Sequence, residues 1–208
     1  MPVTPEDAEA FIIRNLELRP APSVPEIRLY AAHSASRLGR LPGGGGEPPY
    51  WAYHWAGGSA LGRHLLSHPE CVLDRDVIDL GCGSGIVAMA GAMGGARVTA
   101  IDTDAYAIAA TRLNAAANGV TLAVLQSDLL DGPPPAADVI LAGDLFYNRA
   151  LAKRSLAFLR RCRDAGIEVL IGDPGRKPLP RAKLKLLASY AVADFGEGET
   201  ESGVYTLA

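Results

Sequence analysis

Two rhythms of apolar and polar positions run along the chain, and the change between them falls near residue 76. Beyond it, short apolar runs alternate with stretches of helical spacing. Val77-Ile78-Asp79-Leu80 predicts a buried strand, a glycine turn follows, and Ile86 to Met93 predicts a helix. Arg97 to Ile101 predicts the next strand, and the helix expected from Ala105 to Asn118 ends at Gly119, which suits a C′ position. Strands are expected again at Thr121–Leu125, Asp138–Ala142 and Ile167–Ile171, with a helix over Arg149–Arg163 between the last two. Strand–helix alternation of this kind builds a parallel, doubly wound sheet with helices on its faces.

Both ends break that rhythm. Thr4-Pro5 reads as a cap and first helical residue, and Phe11, Ile12 and Leu16 recur at helical spacing, so a helix is expected from Pro5 to Leu18. Pro20, Pro22 and Pro25 end it. The glycine-rich run Pro42–Glu47 reads as a loop, and Ser59–Ser67 as a short helix stopped by Pro69. At the other end, Lys183–Leu187 reads as helical. Tyr190–Phe195 and Val204–Leu207 read as an antiparallel hairpin joined by the polar turn Gly196–Ser202. The expected organisation is an N-terminal helical extension and lid over residues 1–58, then one α/β domain over 59–208.

Composition narrows the class only a little. The formal charge of -3 and pI near 5.8 leave no basic footprint for a nucleic acid. Cys71, Cys82 and Cys162 are isolated and odd in number, so neither a disulfide framework nor a zinc knuckle is expected. No apolar run reaches the length of a bilayer span. The acidic N-terminus, with Glu6, Asp7 and Glu9, matches neither a secretory signal nor a transit peptide. A cytoplasmic, bacterial, monomeric protein without metal is the expectation.

The chemistry concentrates at strand ends. Asp79-Leu80-Gly81-Cys82-Gly83-Ser84-Gly85 joins a strand to a helix at the carboxyl edge of a parallel sheet, where α/β folds bind ligands. Its GxGxG spacing is not the GxGxxG of dinucleotide enzymes. Asp79 is expected near the crevice mouth, where its charge would repel a pyrophosphate but suit S-adenosylmethionine, which carries an ammonium and a sulfonium. Asp102, ending the second strand, is placed to accept from both ribose hydroxyls, and Asp128 from the adenine amino group. Either aspartate could instead be a turn former. The set Asp79–Gly85, Asp102 and Asp128 resembles the first motifs of class I S-adenosylmethionine-dependent methyltransferases. That resemblance implies a Rossmann-like seven-strand sheet of order 3-2-1-4-5-7-6 with strand seven antiparallel. It also implies binding of the cofactor by Gly81, Gly83 and Gly85.

The turn after the fourth strand of the α/β domain, Asp138–Ala142, decides the acceptor. That strand runs into Gly143-Asp144-Leu145-Phe146-Tyr147, an Asp-x-x-Tyr turn without the prolines of enzymes acting on planar amines. Such a turn suits lysine, whose ammonium must lose a proton at a cost of about 4–5 kcal/mol at neutral pH. Asp144 can hold and orient the amine, and Tyr147 can wall it. Alternatively, Asp144 caps the helix beginning near Asn148. A look-alike amide motif, Glu47-Pro48-Pro49-Tyr50, sits in the glycine-rich loop before the first strand and is discounted. The run Tyr50-Trp51-Ala52-Tyr53-His54-Trp55-Ala56-Gly57-Gly58 holds both tryptophans of the chain. It is expected either to staple the sheet edge or to form a lid, with Trp55 near the methionine end of the cofactor.

That aromatic run, Gly143–Tyr147, Leu170-Ile171-Gly172-Asp173-Pro174-Gly175-Arg176 and Pro25-Glu26-Ile27-Arg28-Leu29 together resemble the electron-transfer-flavoprotein β-subunit lysine methyltransferases. The resemblance covers nearly the whole chain. It implies methylation of adjacent lysines in the flavoprotein's recognition loop, with no nucleic acid or membrane as partner. Asp173 and Arg176 would line the lysine channel, although Asp173-Pro174-Gly175 could equally be only a turn. Ala56 departs from a proline common in the family. The alternatives are a ribosomal-protein methyltransferase of the L11 type, a non-catalytic cofactor-binding module, and a small-molecule methyltransferase. His64 and His68 share a helical face but lack further ligands for a metal. Arg176, Lys177, Arg181, Lys183 and Lys185 form either a docking patch for an acidic surface or a solvated helix face.

Overall fold

A computed structural model of the protein describes residues 3–41, 48–194 and 198–208. The N-terminal part comprises α1 (Pro5–Asn15) and the hairpin of β1 (Glu17–Ala21) and β2 (Val24–Ala31). Then follow α2 (Ala56–Ser67), β3 (Asp76–Leu80), α3 (Ile86–Met93), β4 (Arg97–Asp102), α4 (Ala105–Ala117), β5 (Ala123–Gln126), β6 (Val139–Gly143), α5 (Arg149–Asp164), β7 (Glu168–Asp173), β8 (Leu184–Ala193) and β9 (Glu199–Leu207).

The main sheet has seven strands in the order β5-β4-β3-β6-β7-β9-β8. β9 runs antiparallel to both of its neighbours, while β3 to β7 are mutually parallel where they pair. Numbered from β3, this is the expected 3-2-1-4-5-7-6. The central strands are buried on both faces, which is why their sequences read as unbroken apolar runs. Val77, Val139, Leu141 and Leu170 pack with α2 and α3 in one core cluster. Ile78, Leu80, Ile140 and Ile171 point the other way and pack with Phe158 and Leu159 of α5.

The N-terminal part is tied to this sheet by two asparagines on α4. Asn118 accepts from the Arg28 N–H at 2.8 Å and donates to the Arg28 carbonyl at 2.7 Å. Asn114 accepts from the Tyr30 N–H at 2.7 Å and donates to the Ser84 carbonyl at 2.8 Å. Together they satisfy the edge of β2 as a neighbouring strand would. Trp51 stacks on Tyr106 of α4, with centroids 5.5 Å apart and planes 9° apart.

Three expectations need correction. The extension is not wholly helical: α1 stops at Asn15, and β1 and β2 occupy the proline-rich stretch. A two-stranded ribbon consists only of edges, where a proline's missing N–H costs nothing, so the prolines punctuate a hairpin rather than exclude it. Lys183–Leu187 is not helical; beyond a short 3-10 turn at Arg181–Lys183 it begins the edge strand β8, with a bulge between Leu186 and Ala188. The boundary expected between residues 58 and 59 runs through α2. The loop expected at Pro42–Glu47, including Glu47 of the look-alike motif, and Phe195 and Gly196 of the expected hairpin lie outside the described residues.

α2 reaches the sheet through glycines. A Cβ on Gly172 of β7 would collide with the Gly57 carbonyl, and one on Gly143 would stand 3.0 Å from the Gly58 Cα. Gly172→Ala is therefore expected to cost about 2–3 kcal/mol, because the added Cβ meets a backbone carbonyl that no rotamer change can move aside. The thermal midpoint should fall by roughly 4–12 °C. Gly62→Ala is the contrast, since its nearest neighbour is the Ala90 Cβ at 3.7 Å. A melting curve should place that variant at or above the parent, as alanine is the better helix former.

Candidate active site

The carboxyl ends of β3, β4, β5 and β6 open into a cavity of about 440 Å³, within the range of small-molecule sites. Trp55, Gly81, Gly83, Asp102, Asp128, Asp144, Tyr147 and Arg176 all line it. Gly81 and Gly83 take positive φ values of 68° and 53°. A Cβ on Gly81 would stand 2.6 Å from Leu145 Cδ2, so only glycine lets the backbone itself form the cavity floor.

Asp102 stands at the end of β4. Its Oδ2 accepts from the Gly83 N–H at 2.9 Å and its Oδ1 from the Asp104 N–H at 3.0 Å, which fixes the carboxylate at the cavity wall. Burial raises its pKa against those two hydrogen bonds. Asp128 is paired: Arg154 Nη2 lies 2.8 Å from its Oδ2, the Leu130 N–H donates to its Oδ1 at 3.0 Å, and its pKa is lowered by that arginine.

Asp144 is the most constrained residue of the site. It holds a left-handed backbone, φ 56°, uncommon outside glycine. Gly58, in the first turn of α2, donates its N–H to Oδ2 at 2.8 Å. Arg176 donates to Oδ1 through Nε at 3.0 Å and Nη2 at 2.6 Å. Burial nevertheless outweighs the guanidinium and raises the carboxyl to about 6. Asp144 does not cap α5; Asn148 does, accepting from the Leu151 N–H at 2.8 Å. Arg176 lies over the Trp55 ring, its Cζ 5.7 Å from the centroid. Trp55 donates from Nε1 to the Tyr50 carbonyl at 2.8 Å. The Tyr50 ring lies 5.1 Å from that of Tyr147.

Three expected residues do not face the cavity. Asp79 is buried and accepts from the Ala88 N–H at 2.9 Å, so it anchors the first turn of α3 instead of charging the crevice mouth. The strand's alternation turns it to the same side as Val77, and burial lifts its pKa to about 7. Gly85 caps α3 at φ 80°, and a Cβ there would stand 2.9 Å from Thr111 Cγ2. Asp173 is fully buried beneath the site. Its Oδ1 accepts from the Gly175 and Arg176 N–H groups at 2.7 Å, the turn that was the alternative reading, and this turn presents Arg176 to Asp144.

Several lining residues escaped the sequence. Asp104 caps α4 by accepting from the Tyr106 N–H, a signal present in Asp104-Ala105 but overshadowed by Asp102. Pro48, set aside with the look-alike motif, lines the cavity, and so does Tyr50, which that motif shares with the aromatic run expected as staple or lid. Arg154 also lines it and pairs with Asp128 and Asp131, and nothing in its helical context announces that reach. The rings of His64 and His68 lie 4.7 Å apart with their planes tilted by 41°, and no cluster able to hold a metal occurs among the described residues. The basic residues form no helix face, as Arg176 is drawn to Asp144 and Arg181 donates to the Gly175 carbonyl.

The lining carries four aspartates (102, 104, 128 and 144) against two arginines (154 and 176), and each arginine is already paired with an aspartate. The balance suits a cationic ligand and leaves no uncommitted arginine for a phosphate.

Comparison with known proteins adds names to this geometry. A family model described as ribosomal protein L11 methyltransferase (PrmA) matches residues 68–146. The electron transfer flavoprotein beta subunit lysine methyltransferase of Danio rerio is 38% identical, over 91% of this chain and 77% of its own. The protein of that name from Xenopus laevis is 39% identical, over 95% and 86% respectively. A putative RNA methyltransferase from Pyrococcus horikoshii superposes with a TM-score of 0.54 at 14% identity, over 82% of this chain and 92% of that one. A tRNA (uracil-54, C5)-methyltransferase from Pyrococcus abyssi, solved with S-adenosyl-L-homocysteine, superposes at 0.53 and 18%, over 71% and 38%. At such identities the two structures speak to the fold. Among the described residues no helix is long and apolar enough to cross a membrane.

Asp144 makes the electrostatics testable. Its folded value, about 6, lies above the unfolded carboxyl value of about 3.9. The stability it contributes is therefore full below about pH 4 and is lost as pH rises through about 6. Carbon-13 NMR of labelled aspartate should show the Asp144 carboxyl titrating near 6, beside that of buried Asp79 near 7. In Arg176→Gln the Asp144 midpoint should move upward, because a counter-charge is lost.

Proposed function

The chain belongs to the electron transfer flavoprotein beta subunit lysine methyltransferase family, and from that premise we propose that it methylates lysine side chains of a flavoprotein β subunit. It is a methyltransferase, and its cofactor is S-adenosylmethionine. The residues of the cavity fit that group: a glycine floor without Cβ atoms, a fixed carboxylate at Asp102, and an excess of acid over base. When bound, the cofactor supplies a methyl carbon on a sulfonium, which an amine lone pair can take with neutral thioether as the leaving group.

We assign cofactor binding to Trp55, Gly81, Gly83, Asp102 and Asp128. Asp102 would receive the ribose hydroxyls on the lone pairs that Gly83 and Asp104 leave open. Asp128 would take the adenine amino group while keeping Arg154. Asp79 and Gly85 serve at one remove, since they hold the α3 turn beneath the floor.

The observation that carries the lysine reading is Asp144, buried at the cavity wall with Tyr147 beside it. A carboxylate offers about four lone-pair sites. Gly58 and the two Arg176 nitrogens use three, which leaves one for an N–H of the acceptor. An arriving ammonium favours the ionised form of Asp144. Asp144 then orients the nitrogen, and bulk water takes the proton that must leave before attack. Tyr147, 38% exposed at the rim, walls the entering side chain. Arg176 sets the carboxylate's direction, and Asp173 holds Arg176 through the turn at Gly175.

The test is incubation with tritiated S-adenosylmethionine and lysate of a strain lacking the gene. A single labelled band at the flavoprotein β-subunit mass, with label on lysine after hydrolysis, is expected. Label on ribosomal protein, RNA or free metabolites overturns the assignment. Asp144→Asn should lower the rate by roughly 100-fold or more, the cost of losing alignment at the reacting nitrogen.

A further inference from the structure

The rings around Asp144 hold more chemistry than orientation of a primary amine requires. Tyr50 and Trp55 come from the segment before α2, with centroids 5.7 Å apart at 68°. Tyr147 comes from the turn after β6, 5.1 Å from Tyr50. All three line the cavity with Asp144. The chain itself shows what this arrangement attracts: the Arg176 guanidinium sits over Trp55 and on the carboxylate at once. A ring face backed by a carboxylate is a seat for an organic cation.

Lysine changes as it is methylated. Each methyl group removes an N–H donor and spreads the positive charge over C–H surface, so the nitrogen holds water less strongly. A site of carboxylates and water alone would bind the methylated forms less well, because its acceptors lose partners. An aromatic site keeps its attraction for the cation and loses less to desolvation.

We propose that Tyr50 closes an aromatic collar with Trp55 and Tyr147 that binds the acceptor nitrogen more tightly as it gains methyl groups. The proposal rests on the lysine reading above and deepens it. It gives the segment before α2 a part in choosing the acceptor's methylation state. The Tyr50 side chain can be changed without cutting the link from Trp55, because that hydrogen bond ends on the Tyr50 carbonyl.

The experiment titrates the full chain with Nα-acetyl-lysine methylamide carrying zero, one, two or three methyl groups on Nε, followed by NMR. The trimethylated probe should bind about five-fold more tightly than the unmethylated one, the size of a partly exposed cation–π contact. Tyr50→Phe should keep that ratio, and Tyr50→Leu should bring it within two-fold of unity. Should Tyr50→Leu fail to fold, Tyr147→Leu reads the same ratio from the opposite wall. A flat or falling series in the parent protein, or an undiminished rise in the leucine variants, overturns the collar. If the parent labels lysine on the flavoprotein yet gives a flat series, the collar alone fails; if it labels no lysine, both readings fall.

Discussion

The site depends on one close approach, the first turn of α2 laid against the carboxyl ends of β6 and β7. Side chains normally hold a helix away from a sheet, and here Gly57, Gly143 and Gly172 remove them. The Gly58 N–H, one of the donors that a helix start leaves unpaired, can then reach Asp144 at 2.8 Å. The partial positive charge of the helix N-terminus and the Arg176 guanidinium meet on one carboxylate. Even so, burial wins, and Asp144 stays above the usual carboxylate range. A carboxyl poised in this way responds to any further cation that arrives.

The same economy of charge runs through the rest of the cavity. Asp102 and Asp144 stand at the ends of β4 and β6, on either side of β3, each held by two backbone or side-chain groups and each retaining acceptor capacity. Arg154 pairs with Asp128 and Asp131, and Arg176 with Asp144. The arginines thus fix the geometry of the acids without cancelling the acidic excess of the lining. Exposed pairs such as Arg154–Asp131 contribute little to stability in themselves. Their value lies in where they hold the carboxylates.

The central sheet was legible because strands buried on both faces carry short apolar cores, Val77-Ile78 in β3, Ala100-Ile101 in β4, Val139 to Ala142 in β6 and Val169 to Ile171 in β7, with most of the polar residues at the strand ends. Helix ends were legible where capping chemistry is local, as at Thr4 before α1 and Gly119 after α4. What failed to read were elements whose identity comes from partners far away in sequence. β2 is an edge satisfied by Asn114 and Asn118, some ninety residues on. β8 is largely exposed and lacks the burial that would impress an alternation on its sequence. Within the site, the residue types at strand ends announced Asp102 and Asp144. Asp79 misled because the side to which a strand residue points is settled by register, which a short motif does not encode. Arg154 and Tyr50 join the cavity only through tertiary contacts.

The segment before the sheet therefore belongs to the site as much as the sheet does. Trp51 is nearly fully buried against Tyr106, and α1 packs on α4 in the same cluster. Those contacts fix the residues around Trp51 just before α2, so that Tyr50 and Trp55 hang over the ends of β3 and β6. A hydrogen bond from Trp55 to the Tyr50 carbonyl holds the two rings in a fixed relation, and Arg176 joins them to Asp144. The sheet supplies the charges and the segment before it supplies the rings. The glycine contact under α2 brings them within one cavity, and loosening it would separate the two halves of the site before it unfolded either.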